Sequence, residues 1–126
     1  MPESSWRQGG CHCGAVRFEV RAADGDKVLS CNCSICRMTG FHHLIVKGDE
    51  FRLLQGADML TEYRFNTGTA RHLFCKRCGI KPFYVPRSHP DGYSVNYYCL
   101  DEDGRPEVVV EPFDGANWEA NIAKIR

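Results

Sequence analysis

The chain of 126 residues carries eight cysteines, and they fall into four groups. Cys11 and Cys13 form a C-x-C, Cys31, Cys33 and Cys36 a C-x-C-x-x-C, Cys75 and Cys78 a C-x-x-C, and Cys99 stands alone. Clusters this tight read as metal ligands where the compartment is reducing. Tetrahedral zinc takes four soft or borderline ligands at roughly 2.3 Å for sulfur, and short cysteine turns bring two sulfurs onto one ion. Gly14 follows Cys13 and Gly79 follows Cys78, and glycine allows the positive φ that lets such a turn wrap a metal. Cys11, Cys13, Cys75 and Cys78 therefore read as the two jaws of one structural zinc site. Cys31, Cys33 and Cys36 offer three sulfurs in six residues. Three protein ligands and one open position is the arrangement of a catalytic zinc. A thiol entering that position would be held as thiolate at neutral pH. The expected cofactor is thus zinc, two ions per chain.

Cys99 leaves two readings open. It is a small buried hydrophobe, or it completes the Cys31, Cys33, Cys36 site and closes it, which would argue against an enzyme. His42 and His43 follow the trio and precede an apolar run; one of them lines the open zinc or serves as general base, or both are packed or solvated. His12 is expected to point away to solvent, and His72 and His89 have no distinguishing neighbours. No phosphate-cradling glycine loop, nucleophile elbow or H-E-x-x-H occurs. Tyr84, Tyr93, Tyr97 and Tyr98 read as sheet packing.

Formal net charge is zero, which gives no global reason to expect nucleic acid or an anionic membrane as partner. The charge is nevertheless uneven. Positions 63–90 hold no Asp or Glu but include Arg64, Arg71, Lys76, Arg77, Lys81 and Arg87. That stretch is a set of solvated faces or a basic wall beside an anionic small-molecule site. Positions 1–10 are polar and do not read as a signal peptide. No window approaches the roughly 20 apolar residues of a membrane span. A cytoplasmic location, with disulfides disfavoured, is the expectation.

The elements that must position these groups read as mostly β. Val16, Phe18 and Val20 alternate with Arg17, Glu19 and Arg21, the period of a strand over 15–20. Further short strands are expected at 27–30, 43–46, 51–54, 61–65, 71–74, 83–85, 94–98 and 108–111. Turn residues such as Asp24-Gly25, Gln55-Gly56 and Asp91-Gly92 separate them. A short helical turn is expected after Cys33. A C-terminal helix over about 115–125 is expected from Trp118, Ile122 and Ile125 on one face, with Asp114 as N-cap. With 43% hydrophobic residues and no linker or repeat, the chain reads as one zinc-binding domain over 1–126.

Three motifs in order carry a resemblance. Gly9-Gly10-Cys11-His12-Cys13-Gly14-Ala15-Val16-Arg17-Phe18, then Cys31-Asn32-Cys33-Ser34-Ile35-Cys36, then Phe74-Cys75-Lys76-Arg77-Cys78-Gly79 resemble the glutathione-dependent formaldehyde-activating enzyme family, which includes centromere protein V. Phe83-Tyr84-Val85-Pro86-Arg87-Ser88 and Cys99-Leu100-Asp101 are smaller echoes, and the family-like core runs over about 9–101. The resemblance implies a mainly β, tent-like zinc fold. It implies a structural zinc on Cys11, Cys13, Cys75 and Cys78, and a second zinc on Cys31, Cys33 and Cys36 near the chemistry. The activity it implies is addition of glutathione, as co-substrate, to formaldehyde, a carbon–sulfur lyase-type reaction on a small thiol and an aldehyde. Glutathione carries two carboxylates, which Arg or Lys of 63–90 could receive. The segment Arg37-Met38-Thr39-Gly40 is where substrate selectivity is expected to vary. The alternative is a non-catalytic zinc module that binds protein or nucleic acid; a thiol redox protein is a third.

Overall fold

The computed structural model describes residues 4–65, 68–103 and 105–122. Ten strands and two short helices are present among them: β1 Ser5–Gly10, β2 Arg17–Ala22, β3 Lys27–Cys31, α1 Ser34–Thr39, β4 His42–Lys47, β5 Phe51–Gln55, β6 Leu60–Tyr63, β7 Arg71–Cys75, β8 Phe83–Val85, β9 Gly92–Asn96, β10 Val109–Phe113 and α2 Trp118–Asn121. The strands form two sheets, one ordered β1-β2-β5 and one ordered β10-β3-β4-β9-β8-β7-β6. A mainly β fold was therefore legible from the alternation. Among the described residues no helix is long and apolar enough to cross a membrane.

The core lies between the sheets. Phe18 of β2 stacks on Phe51 at 5.5 Å and meets Phe83 edge-on at 6.1 Å. Val16, Val20, Leu44, Val95 and Leu100 join the same buried cluster. Successive side chains on a strand point to opposite faces. With Leu44, Val95 and Phe83 turned toward the core, their neighbours His43, Ile45, Ser94 and Tyr84 face the other side of the larger sheet. The register places His72 opposite Tyr84, Tyr84 opposite Ser94, and Ser94 opposite Ile45. That row crosses four strands.

Strand β1 is the element the sequence reading lacked. Its polar residues hid it, because only Gly9 and Gly10 are buried, and Trp6 lies on the outside beneath the Arg52 guanidinium, 4.0 Å from the ring centre. Gly9 is required there: a Cβ would strike the Cys99 carbonyl and the Phe18 ring.

Strand β10 pairs with β3 in parallel, Phe113 opposite Cys31. Its C-terminal end therefore arrives beside the end of β3, where the cysteine trio begins. Beyond it come a 3-10 turn, Gly115–Asn117, and the single turn of α2. The expected helix over 115–125 is described only this far, and Ile125 lies outside the described residues. Asp114 precedes the 3-10 turn but makes no side-chain cap. Its carboxylate instead accepts from Asn32 Nδ2 at 3.0 Å and Asn117 Nδ2 at 2.8 Å.

Candidate metal centres and the cavity beside one of them

The fold brings the first and third cysteine motifs together. Cys11 and Cys13 lie in the β1–β2 turn, while Cys75 ends β7 and Cys78 sits in the turn after it. The four sulfurs lie within 4.8 Å of one another. Cys11 and Cys13 Sγ are 3.6 Å apart, and Cys13 and Cys75 Sγ 3.7 Å. Four sulfurs at ~2.3 Å from a tetrahedral ion would stand about 3.8 Å from each other, so this donor set fits zinc. Gly14 and Gly79 adopt φ of 81° and 77°, the positive values the turns need. The Val16 N–H donates to Cys11 Sγ at 3.3 Å. Backbone N–H groups of the Cys78 turn lower the Cys75 thiol against the opposing effect of burial. A thiolate is the form a metal takes.

The middle motif stands apart from these four. Cys31 closes β3, Cys33 occupies the N-cap position of α1, and Cys36 lies buried in its first turn. Their sulfurs also lie within 4.8 Å of one another. Cys33 and Cys36 Sγ are 2.8 Å apart, closer than two ligands of one ion, so they would spread on binding. Hydrogen bonds from Cys31 and Cys36 push the Cys33 thiol strongly down, while the same contacts push Cys36 up. The three sulfurs fit a metal with one position left to another ligand.

Cys99 belongs to neither group. Its Sγ lies 3.9 Å from the Lys81 carbonyl, and burial pushes its thiol up to about 12. Half-buried against the core, it behaves as a small apolar residue.

A cavity of about 450 Å³ opens onto the trio, with Cys31, Cys33 and Cys36 in its wall. None of Cys11, Cys13, Cys75 or Cys78 lines it. The volume falls in the range of small-molecule sites. Its floor is the outer face of the larger sheet, including His43, Ile45, Tyr84 and His72. The Asn32 side chain secures one wall: its Oδ1 accepts from the Ala116 N–H at 2.9 Å and its Nδ2 donates to Asp114. This clamp draws the C-terminal segment against the trio. Gly115 lies so close that a Cβ would collide with Cys31 Sγ and stand 3.3 Å from Cys33 Cβ.

Of the two candidate histidines, His43 is at the site. Its Nε2 is 3.1 Å from Cys36 Sγ, and its Nδ1 is 2.9 Å from Ser94 Oγ and 3.2 Å from the Tyr84 hydroxyl. Burial, then the charge of Lys81, pushes it down to about 3, so it is neutral at physiological pH. His42 turns away, toward the Gly40 carbonyl and the Tyr98 ring. His12 is exposed, as expected.

Two residues that seemed bland in sequence line or support this cavity. His72 is only 5% exposed, stacks on Tyr84 at 4.9 Å, and has its Nδ1 2.7 Å from Lys81 Nζ. Lys81 is 8% exposed and sits over the Tyr84 and Phe41 rings at 3.9 and 4.9 Å. Burial pushes its ammonium down to about 8, opposed by the negative charge of Cys36 and Cys33. An ammonium has no acceptor, so His72 Nδ1 accepts from it. The β-strand parity of Tyr84 against Phe83 was the sequence signal that could have marked this face.

The basic stretch resolves into separate roles. Arg64 and Arg71 pair with Glu62 at 2.9 and 2.5 Å. Arg87 reaches the cavity wall, and so does Arg37 of α1. Met38 beside it is 88% exposed and does not line the cavity.

Comparison with known proteins agrees with this arrangement. The family described as glutathione-dependent formaldehyde-activating enzyme matches residues 6–115. A Halomonas elongata protein, named provisionally as a glutathione-dependent formaldehyde-activating enzyme, is 37% identical over 79 residues. That match covers 56% of this chain and 50% of the relative, so the chain matches half of that relative's length. A crystal structure of a Rhodobacter sphaeroides protein superposes with a TM-score of 0.70 at 37% identity, over 81% of this chain and 99% of that one. With the family matched across most of its length and its cysteine motifs gathered into two clusters, the chain belongs to the glutathione-dependent formaldehyde-activating enzyme family.

Proposed function

We propose that this protein is a zinc-dependent enzyme of the carbon–sulfur lyase type, adding glutathione or a similar thiol to formaldehyde or another small electrophile in the cytoplasm. The observation that carries the reading is the cavity, whose wall includes all three sulfurs of the trio and none of the other four cluster cysteines. Cys11, Cys13, Cys75 and Cys78 would hold a structural ion with a filled coordination sphere, and would lend the tent-like fold its zinc stabilisation. Cys31, Cys33 and Cys36 would hold the second. When bound there, zinc would favour the thiolate of an incoming thiol and raise the electrophilicity of a nearby carbonyl.

The chain's own residues set the rest. The thiol gives up its proton, its sulfur bonds to the carbonyl carbon, and the carbonyl oxygen gains the released electron pair and a proton. Nothing is oxidised or reduced. Neutral His43, fixed by Ser94 and Tyr84, aims Nε2 at Cys36 and holds that sulfur in place. Phe65, Ile45 and Phe113 give the cavity apolar surface that limits water around a small aldehyde. Holding two reactants side by side in such a site is itself a large source of rate.

The test is spectroscopic and chemical together. Purified protein is expected to contain about two zinc ions per chain, and cobalt-substituted protein to change its thiolate bands on adding glutathione. Formaldehyde is expected to disappear in step with glutathione. A cobalt spectrum indifferent to glutathione sinks the proposal.

A further inference from the structure

Arg87 sits in the wall of the same cavity as the trio, and its surroundings are unusual for a surface arginine. Its guanidinium lies 3.6 Å from the centre of the Trp118 ring, so its position is fixed from below. Its Nη2 donates to Glu119 Oε1 at 3.0 Å. The two sides of that ion pair are unequal: the Arg87 side chain is 30% exposed, and that of Glu119 83%. An ion pair whose acid is so solvated contributes little, whereas stacking on an indole holds guanidinium in place without the acid. The acid can leave; the arginine stays. Its planar fork of donors matches a carboxylate in two-point geometry, and a single bond to Glu119 leaves that match unfilled.

We propose that Arg87 is the binding residue for a carboxylate of the thiol substrate, and that Glu119 occupies it until the substrate arrives. The inference rests on the thiol-addition reading of the cavity and gives it a direction. The sulfur lies at the trio and a carboxylate at the Arg87–Trp118 end, on α2 and the loop after β8. The ligand class is a thiol carrying a carboxylate some bonds away from its sulfur, such as a cysteinyl peptide. A thiol without a carboxylate gains nothing from this end of the cavity.

The experiment uses metal-loaded full chain, titrated calorimetrically with glutathione, S-methylglutathione and cysteamine, with the cobalt spectrum recorded in parallel. Glutathione keeps both thiol and carboxylates, S-methylglutathione lacks the free thiol, and cysteamine lacks carboxylates. Arg87→Met is expected to weaken glutathione and S-methylglutathione roughly 10- to 100-fold, the effect of losing a charge-assisted hydrogen bond. Cysteamine is expected to bind it as it binds wild type. Glu119→Gln, an exposed and conservative change, is expected to tighten glutathione by about 2- to 5-fold, because the competing acid is gone. Glutathione binding unchanged in Arg87→Met, or not tightened in Glu119→Gln, overturns the assignment. If glutathione binds with this Arg87 dependence yet leaves the cobalt bands unmoved, the carboxylate site stands and the thiol reading falls.

Discussion

The lack of room for a side chain at Gly115, beside the trio, predicts a substitution that should remove one metal and spare the fold. Gly115 does not adopt a positive φ, so alanine fits its backbone, and any effect must come from the added methyl group. That carbon would overlap Cys31 Sγ and approach Cys33 Cβ to 3.3 Å. Ordinary packing separations require the sulfur to withdraw by on the order of 1 Å. Cys31 can do so by rotating about one bond, a small cost to folding. Ligand distances in metal sites tolerate only about 0.2 Å, so the withdrawn sulfur no longer reaches a shared ion. Gly115→Ala is expected to lower zinc affinity at the trio by at least 10- to 100-fold, about 1.4–2.7 kcal/mol. Affinity at Cys11, Cys13, Cys75 and Cys78 should not move. Zinc counting after dialysis against a weak chelator, with thermal melting of the same samples, separates the two sites: one retained ion and a near-wild-type melt are expected. Two ions retained at wild-type affinity would refute the claim that the C-terminal segment shapes the trio.

Four further substitutions test the remaining parts. Cys75→Ser removes a fully buried sulfur from the cluster joining the β1–β2 turn to the end of β7, and should abolish cooperative melting, whereas Cys33→Ser should leave a folded protein with one ion. Among the described residues no carboxylate pairs with Lys81, so Lys81→Met should raise the melting temperature of metal-free protein by removing a buried cation. The same change should lower metal affinity at the trio by roughly 10-fold, since its charge favours the thiolates; opposite signs in the two assays are the signature. Burial, then Lys81, pushes His72 down to about 4. The folded state therefore refuses a proton that the unfolded chain accepts below about pH 6.5, and stability is lost as pH falls from there to 4. The stability difference between wild type and His72→Gln should shrink across that window by up to about 1.4 kcal/mol per pH unit, read by urea unfolding of metal-loaded protein; a flat difference rejects the assignment.

Strand positions and cysteine clusters were legible for the same reason: each is a local pattern. The alternation about Phe18 and the spacing Cys31, Cys33, Cys36 require no knowledge of distant chain. Even the pairing of the first and third motifs could be reasoned, because two sulfurs cannot fill a tetrahedral site and the flanking glycines matched. The cavity was not legible, because it depends on a parallel pairing. Only β10 beside β3 brings Gly115 and Trp118 to the end where Cys31 lies, and nothing in 108–122 encodes its partner. The same pairing reverses the reading of the larger sheet's outer face. Alternation assigns His72, Tyr84 and Ser94 to a face opposite the core, and a polar or amphipathic residue on such a face is ordinarily read as solvated. Here the α1 turn and the C-terminal segment cover that face, so those residues become buried groups that must find partners. They find them in one another: Lys81 on His72, and Tyr84 and Ser94 on His43, with His43 on Cys36. The basic stretch behaved differently, since Arg64 and Arg71 are answered by Glu62, an acid lying one residue before the window. A charge pattern counted along the chain therefore overstated the wall. Of its six basic residues Arg87 is the one that lines the cavity, and its acid comes from a distant and exposed position, Glu119, on the covering segment itself. The residues that close the cavity also supply the group that an anionic substrate would have to displace.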